Sequence, residues 1–123
     1  MNKKEVDLFK KVNTQINTLY TEISALSKKK PNDAINKFKL KYINKVLEDA
    51  NKLLKQNYKP FTDFDLFDEN DIPSNSDVTM MLSQYIDFLG KLRDDNIKYK
   101  NGEYFWVING KISSIKTGYR RLY

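Results

Sequence analysis

The sequence predicts an α+β fold, with two long helices as an antiparallel hairpin, a third helix, and a C-terminal three-stranded antiparallel β-meander. Three observations carry that expectation. Apolar residues recur at steps of three and four through three separate stretches. Two Asn-Gly pairs, Asn101-Gly102 and Asn109-Gly110, stand close together near the end. Around them the pattern changes to short runs of Ile, Tyr, Phe, Trp and Val, the residue types of strands.

The first helix is expected over residues 3–27, where Phe9, Val12, Ile16, Leu19, Ile23 and Leu26 form a heptad stripe on an otherwise polar segment. So narrow a seam predicts burial along one side only. An antiparallel hairpin with the next helix fits it, through the turn Lys28-Lys29-Lys30-Pro31; a dimer through the same seam is the alternative. The second helix is expected over 32–58 and has the broadest apolar arc. Ile35, Phe38, Tyr42, Val46, Ala50 and Leu53 form one row, with Leu40, Ile43, Leu47, Leu54 and Tyr58 beside it. An arc of that width predicts the centre of the core. Pro31 is placed just inside its start, with Asn32 and Asp33 as capping groups, and Pro60 ends it.

Residues 60–76 interleave Phe61, Phe64, Leu66 and Phe67 with Asp63, Asp65, Asp68, Glu69 and Asp71. That is too aromatic for a disordered linker. The three phenylalanines are expected to pack across the end of the hairpin, with the acids in solvent. Ser74 and Asp77 match a capping box for a third helix to about residue 95, with Val78, Met81, Leu82, Tyr85, Leu89 and Leu92 on its apolar face. The two Asn-Gly turns then divide the remainder into strands at 97–100, 103–108 and 111–115. The middle strand, Tyr104 to Ile108, is bulky on both faces, so one face packs on the helices and the other needs a cover or is sticky. The organisation expected is a single domain over 1–123, with a helical part at 1–95, the meander at 96–116 and a basic aromatic tail at 117–123.

Composition excludes much chemistry. The 123 residues hold no cysteine and no histidine, so disulfides, thiolate nucleophiles, Cys or His metal sites, histidine-based triads and a histidine pH switch all fall away. The four glycines sit at a helix end or at turns and form no phosphate-binding loop. Asp94 and Asp95 are neighbours whose side chains diverge by about 100° on a helix, too far to share a proton. A calcium loop opening at Asp63 would need an oxygen ligand at 67 and glycine at 68; Phe67 and Asp68 occupy those places. The chain is therefore expected to be no enzyme and to need no cofactor or metal. No apolar run has the roughly 18 residues of a membrane span, and Met1 leads into an amphipathic pattern, so a cytoplasmic location is expected.

The net charge of +6 invites a nucleic-acid reading, but only 3 of the 22 basic residues are arginine. A lysine-, asparagine- and isoleucine-rich chain is what an AT-rich genome writes. The charge is also segregated: residues 61–90 contain seven acids and no Lys or Arg, while both flanks are strongly basic. The acidic block could complement a basic channel of a nucleic-acid-processing protein.

Two function classes remain. The favoured one is a non-enzymatic protein that acts by protein-protein contact, an inhibitor, adaptor or regulator encoded by a phage or mobile element of a low-GC bacterium; an inhibitor of a host defence nuclease, such as an anti-CRISPR, is the example. Its partner-binding residues are expected to be Tyr99, Tyr104, Trp106, Tyr119, Arg120, Arg121 and Tyr123, because Trp, Tyr and Arg concentrate at binding hot spots. The alternative is a basic DNA- or RNA-binding protein using Lys28, Lys29, Lys30, Lys111, Lys116, Arg120 and Arg121 with the lysine row Lys37, Lys41, Lys45, Lys52 and Lys55. A helix followed by a hairpin is similar to the end of a winged-helix module, although Asp77, Asp87, Asp94 and Asp95 would repel DNA from that helix.

Overall fold

Asn2 opens the chain's first helix. Its side chain accepts from the Glu5 amide at 2.8 Å, and the Glu5 carboxylate takes the Asn2 amide in return, a reciprocal cap. Three helices follow in the computed structural model, which describes residues 1–118: α1 (Lys3–Lys29), α2 (Lys37–Tyr58) and α3 (Asn75–Asp94). They lead into an open antiparallel sheet of β1 (Ile97–Lys100), β2 (Glu103–Ile108) and β3 (Lys111–Thr117), in the order β1-β2-β3. The fold is α+β. Residues 119–123 lie outside the described residues, and with them Tyr119, Arg120, Arg121 and Tyr123 of the expected tail.

Ion pairs report the helix directions. Glu22 meets Lys39 at 3.3 Å and Glu5 meets Lys55 at 3.5 Å, so α1 and α2 are antiparallel. Most of the heptad seam is spent inside the chain: Phe9, Val12, Ile16 and Ile23 are buried, with Val6 beside them, while Leu19 is half-buried and Leu26 exposed. Asn75, at the start of α3, donates to the Lys30 carbonyl at 3.0 Å, while the Tyr58 hydroxyl at the end of α2 donates to Asp95 at the end of α3. Thus α2 and α3 run parallel, and the chain between them must travel back the length of the bundle.

That return corrects the expected path of the aromatic connector. It climbs α2 instead of crossing the hairpin's end, held by two asparagines about two turns apart on one flank. Asn44, buried on an otherwise apolar face, donates to the Phe67 carbonyl at 2.9 Å and accepts from the Phe67 amide at 3.0 Å. Asn51 donates to the Asp65 carbonyl at 2.9 Å and accepts from the Tyr85 hydroxyl at 2.6 Å. Phe64 and Phe67 pack on the core and on each other, ring centroids 5.0 Å apart, while Phe61 stays exposed and the five acids face solvent.

This connector, the strap over residues 59–74, also explains where α2 begins. Residues 31–35 are drawn into contact with the strap's end: Ala34 bridges Ser74, the Ile35 amide donates to the Pro73 carbonyl and the Asn75 amide to the Asp33 carbonyl. Pro31 and Asn32 therefore belong to a turn, and Asn36 caps α2 by accepting from the Lys39 amide at 3.1 Å. Tertiary pairing overrides a helical pattern that Ile35 continues in sequence only. Near its other end α2 kinks at Lys55, whose φ of 55° is left-handed.

The centre of the bundle is α1, not α2. It packs on α2, on α3 and on β2, where Phe9 meets Trp106 edge-on at 5.0 Å. The sheet is tied to the start of α1, where the Asn109 amide donates to the Met1 carbonyl at 3.0 Å, and follows directly on α3, where the Val107 amide donates to the Asn96 carbonyl at 2.8 Å. Both Asn-Gly turns take left-handed backbone at both residues, with φ of 51° and 85°, then 52° and 79°. β3 runs two residues further than expected and bulges opposite Trp106, where the Ser113 hydroxyl donates to the Trp106 carbonyl at 2.7 Å.

Replacing buried Asn44 by Ala strands the half-buried amide and carbonyl of Phe67, which should cost about 1–3 kcal/mol in urea unfolding. Gln56→Ala, on the exposed side of α2, should stay within about 0.5 kcal/mol. A loss at Asn44 no larger than the Gln56 control would mean the strap is held elsewhere.

Candidate functional site

The register of the sheet decides which side of the middle strand is covered. Ile97 pairs with Trp106 and Tyr99 with Tyr104, so these four share the helix-facing side. Trp106 is 1% exposed, one of the largest fully buried side chains. Its place in the partner-binding set is therefore corrected: it anchors the sheet to α1, because only that face meets the helices. Tyr99 is 64% exposed and meets Tyr104 edge-on at 5.4 Å. Tyr99 and Tyr104 are thus brought together at an edge, without Trp106.

The opposite face of the sheet is open. Lys98 pairs with Phe105 and Phe105 with Lys116, a row across all three strands; Val107 pairs with Ile112, which is exposed. Lys116 is also 3.1 Å from Glu103. The remaining nucleic-acid candidates do not converge. Lys28, Lys29 and Lys30 stand at the far end of α1, with Lys28 and Lys29 beside an open hollow at Tyr20, while Lys111 follows the turn bonded to Met1. A 27-residue helix separates the two groups by roughly 40 Å.

The most exposed large apolar side chain among the described residues, Phe38, has the periodicity of a core position. Phe38 is 70% exposed and Tyr42 42%, although both continue the apolar row of α2. The strap and α3 cover one flank of the arc and α1 only part of the other, and Phe38 and Tyr42 lie on the side of α2 left uncovered. Their rings meet at 5.0 Å. Below them the helices leave a groove of about 450 Å³, lined by Lys11, Thr14, Gln15, Thr18 and Leu19 of α1 and by Tyr42, Lys45, Val46 and Asp49 of α2. The hydroxyls of Thr14 and Thr18 donate to the carbonyls of Lys10 and Thr14, so this wall asks little of an apolar occupant. The Lys45 and Lys41 ammonium groups lie 5.1 and 5.8 Å from the Tyr42 ring centre. No periodicity separates Phe38 and Tyr42 from core positions; the one available signal was the lysines at 37, 39, 41 and 45 around them, which mark an edge of the buried arc.

The groups whose acidity is clearly moved lie elsewhere. Burial pushes the Tyr85 phenol up to about 12, against the opposing effect of its bond to Asn51. The hydrogen bond to Asp95, aided by burial, raises Tyr58, and the Asn2 backbone amide lowers the Glu5 carboxyl. Each serves a structural contact. Among the described residues no group of three acids is placed to hold a metal ion, and no helix is long and apolar enough to cross a membrane. Compared with protein-family models, with curated proteins and with solved structures, the chain gives no match.

Tyr85 makes stability depend on alkaline pH. Its folded value lies above the ordinary 10.0, so its contribution is complete below pH 10 and is lost as pH rises from 10 towards about 12. Unfolding free energies from urea titrations across that window should fall by on the order of 2 kcal/mol, and Tyr85→Phe should flatten the decline. An unchanged slope in the variant would contradict the assignment.

Proposed function

We propose that this protein is a non-catalytic binding protein that acts by protein contact through the groove between α1 and α2. The observation that supports this most is the exposed Phe38–Tyr42 pair, two rings in contact on the rim of an apolar groove. Aromatic side chains left in water beside apolar surface are the usual anchors of an interface. In the setting that composition suggests, a phage or mobile element of a low-GC bacterium, the role is that of an inhibitor, adaptor or regulator, with a host defence nuclease as an example of the target. The edge formed by Tyr99 and Tyr104 is a second, smaller contact surface of the same kind.

The nucleic-acid reading has one observation in its favour, the row Lys98–Phe105–Lys116 on the open sheet face, where an aromatic ring lies between two cations. It moves that reading away from Lys28, Lys29 and Lys30.

A double change, Phe38→Ser with Tyr42→Ser, should leave the thermal unfolding curve almost in place, because both side chains are exposed. The same change should abolish capture of a protein partner from nuclease-treated extract of a low-GC bacterium, while Tyr99→Ser weakens capture less. Capture that survives the double change, or that disappears on nuclease treatment and on Lys98→Glu with Lys116→Glu, would overturn the reading.

A further inference from the structure

We propose that the groove between α1 and α2 receives an acidic amphipathic helix of a partner protein. This rests on the reading of the groove as a protein-contact surface and adds the chemistry of its occupant. The shape comes first. α1 and α2 are antiparallel neighbours, and α3 and the strap lie on other sides of them, so the groove is the vacant position of a further helix in the bundle. From Tyr42 to Asp49 the α2 wall runs roughly 10 Å and from Lys11 to Leu19 the α1 wall roughly 12 Å, enough to seat about two turns of a docked helix, with Phe38 extending the rim beside Tyr42. Leu19, Val46 and the ring of Tyr42 offer apolar surface to side chains that recur at steps of three and four.

Charge selects among helices. Lys11 stands on the α1 side and Lys41 and Lys45 on the α2 side, so both flanks of a docked helix meet cations. The acid in the lining, Asp49, has Lys52 at 3.6 Å. Glutamates or aspartates flanking the occupant's apolar stripe complement this rim, and lysines would be repelled by it. A nucleic acid fits less well. The Tyr42 ring already carries the ammonium groups of Lys41 and Lys45, which a stacked base would displace, whereas carboxylates pair with those ammonium groups where they stand.

The test uses the whole chain, labelled with ¹⁵N, and four probes: a peptide of about 18 residues with leucines at helical spacing flanked by glutamates, the same peptide with lysine for glutamate, a scrambled version of the acidic peptide, and a thymidine oligonucleotide. The acidic amphipathic peptide should shift the amide signals of Thr14, Thr18, Leu19, Tyr42 and Val46 to saturation, and the scrambled peptide should not. Lys41→Glu with Lys45→Glu, both exposed, should keep the melting curve and weaken that binding about tenfold or more, the loss of two partly exposed charge pairs. Equal or tighter binding of the lysine peptide overturns the acidic class and leaves the groove as a protein-contact surface. Saturation of the groove by the oligonucleotide alone overturns both. No shift with any probe overturns the inference, and the capture experiment then decides the broader reading separately.

Discussion

The parallel course of α2 and α3 is the constraint on which the rest of this structure depends. Two helices joined in sequence and running the same way force the chain to return along the bundle, and a return segment carries backbone groups that need partners. Asn44 supplies them. One side-chain amide satisfies both the N–H and the carbonyl of Phe67, imitating a sheet pairing on the flank of a helix, and Asn51 repeats half of that contact while accepting from Tyr85. A buried asparagine among leucines would otherwise be costly; here it lets Phe64 and Phe67 insert towards the core and leaves the acids outside.

The candidate site follows from the same arrangement. The strap closes the α2 flank that faces α3, so the broad apolar arc is covered there and left incomplete on the side of α1. Phe38 and Tyr42 lie where that cover stops. Meanwhile the sheet, tied to Met1 and to Asn96, uses its aromatic side for anchorage, and Trp106 is consumed by Phe9 and the helices. Among the described residues, uncovered aromatic rings therefore stand in contact on a helical surface ringed by lysines, with Tyr99 at the sheet edge and Phe61 on the strap exposed apart from them.

Much of the fold was legible in the residues. Steps of three and four placed all three helices, and the left-handed requirement of two Asn-Gly pairs placed both turns and the limits of β1 and β2. What was not legible is what depends on distant partners. Ile35 continues a helical pattern, yet its amide is claimed by Pro73; Asn44 reads as an interruption of an apolar face until Phe67 lies against it. Phe38 and Tyr42 have core periodicity, and only the absence of a covering element beside them makes them surface. The alternation of β2 showed that Phe105 and Trp106 point oppositely without saying which way, because both sides are bulky. The choice is made by Phe9, ninety-seven residues away in sequence.

The central claim is that the aromatic surface lies at Phe38 and Tyr42 while Trp106 is sealed. Solvent paramagnetic relaxation, with an inert gadolinium chelate added to the protein and ring protons of assigned aromatic residues followed by NMR, tests it most directly. Strong broadening of Phe38 and Tyr42 with the Trp106 indole spared is the predicted result. Strong broadening of Trp106 with Phe38 and Tyr42 protected would contradict the account.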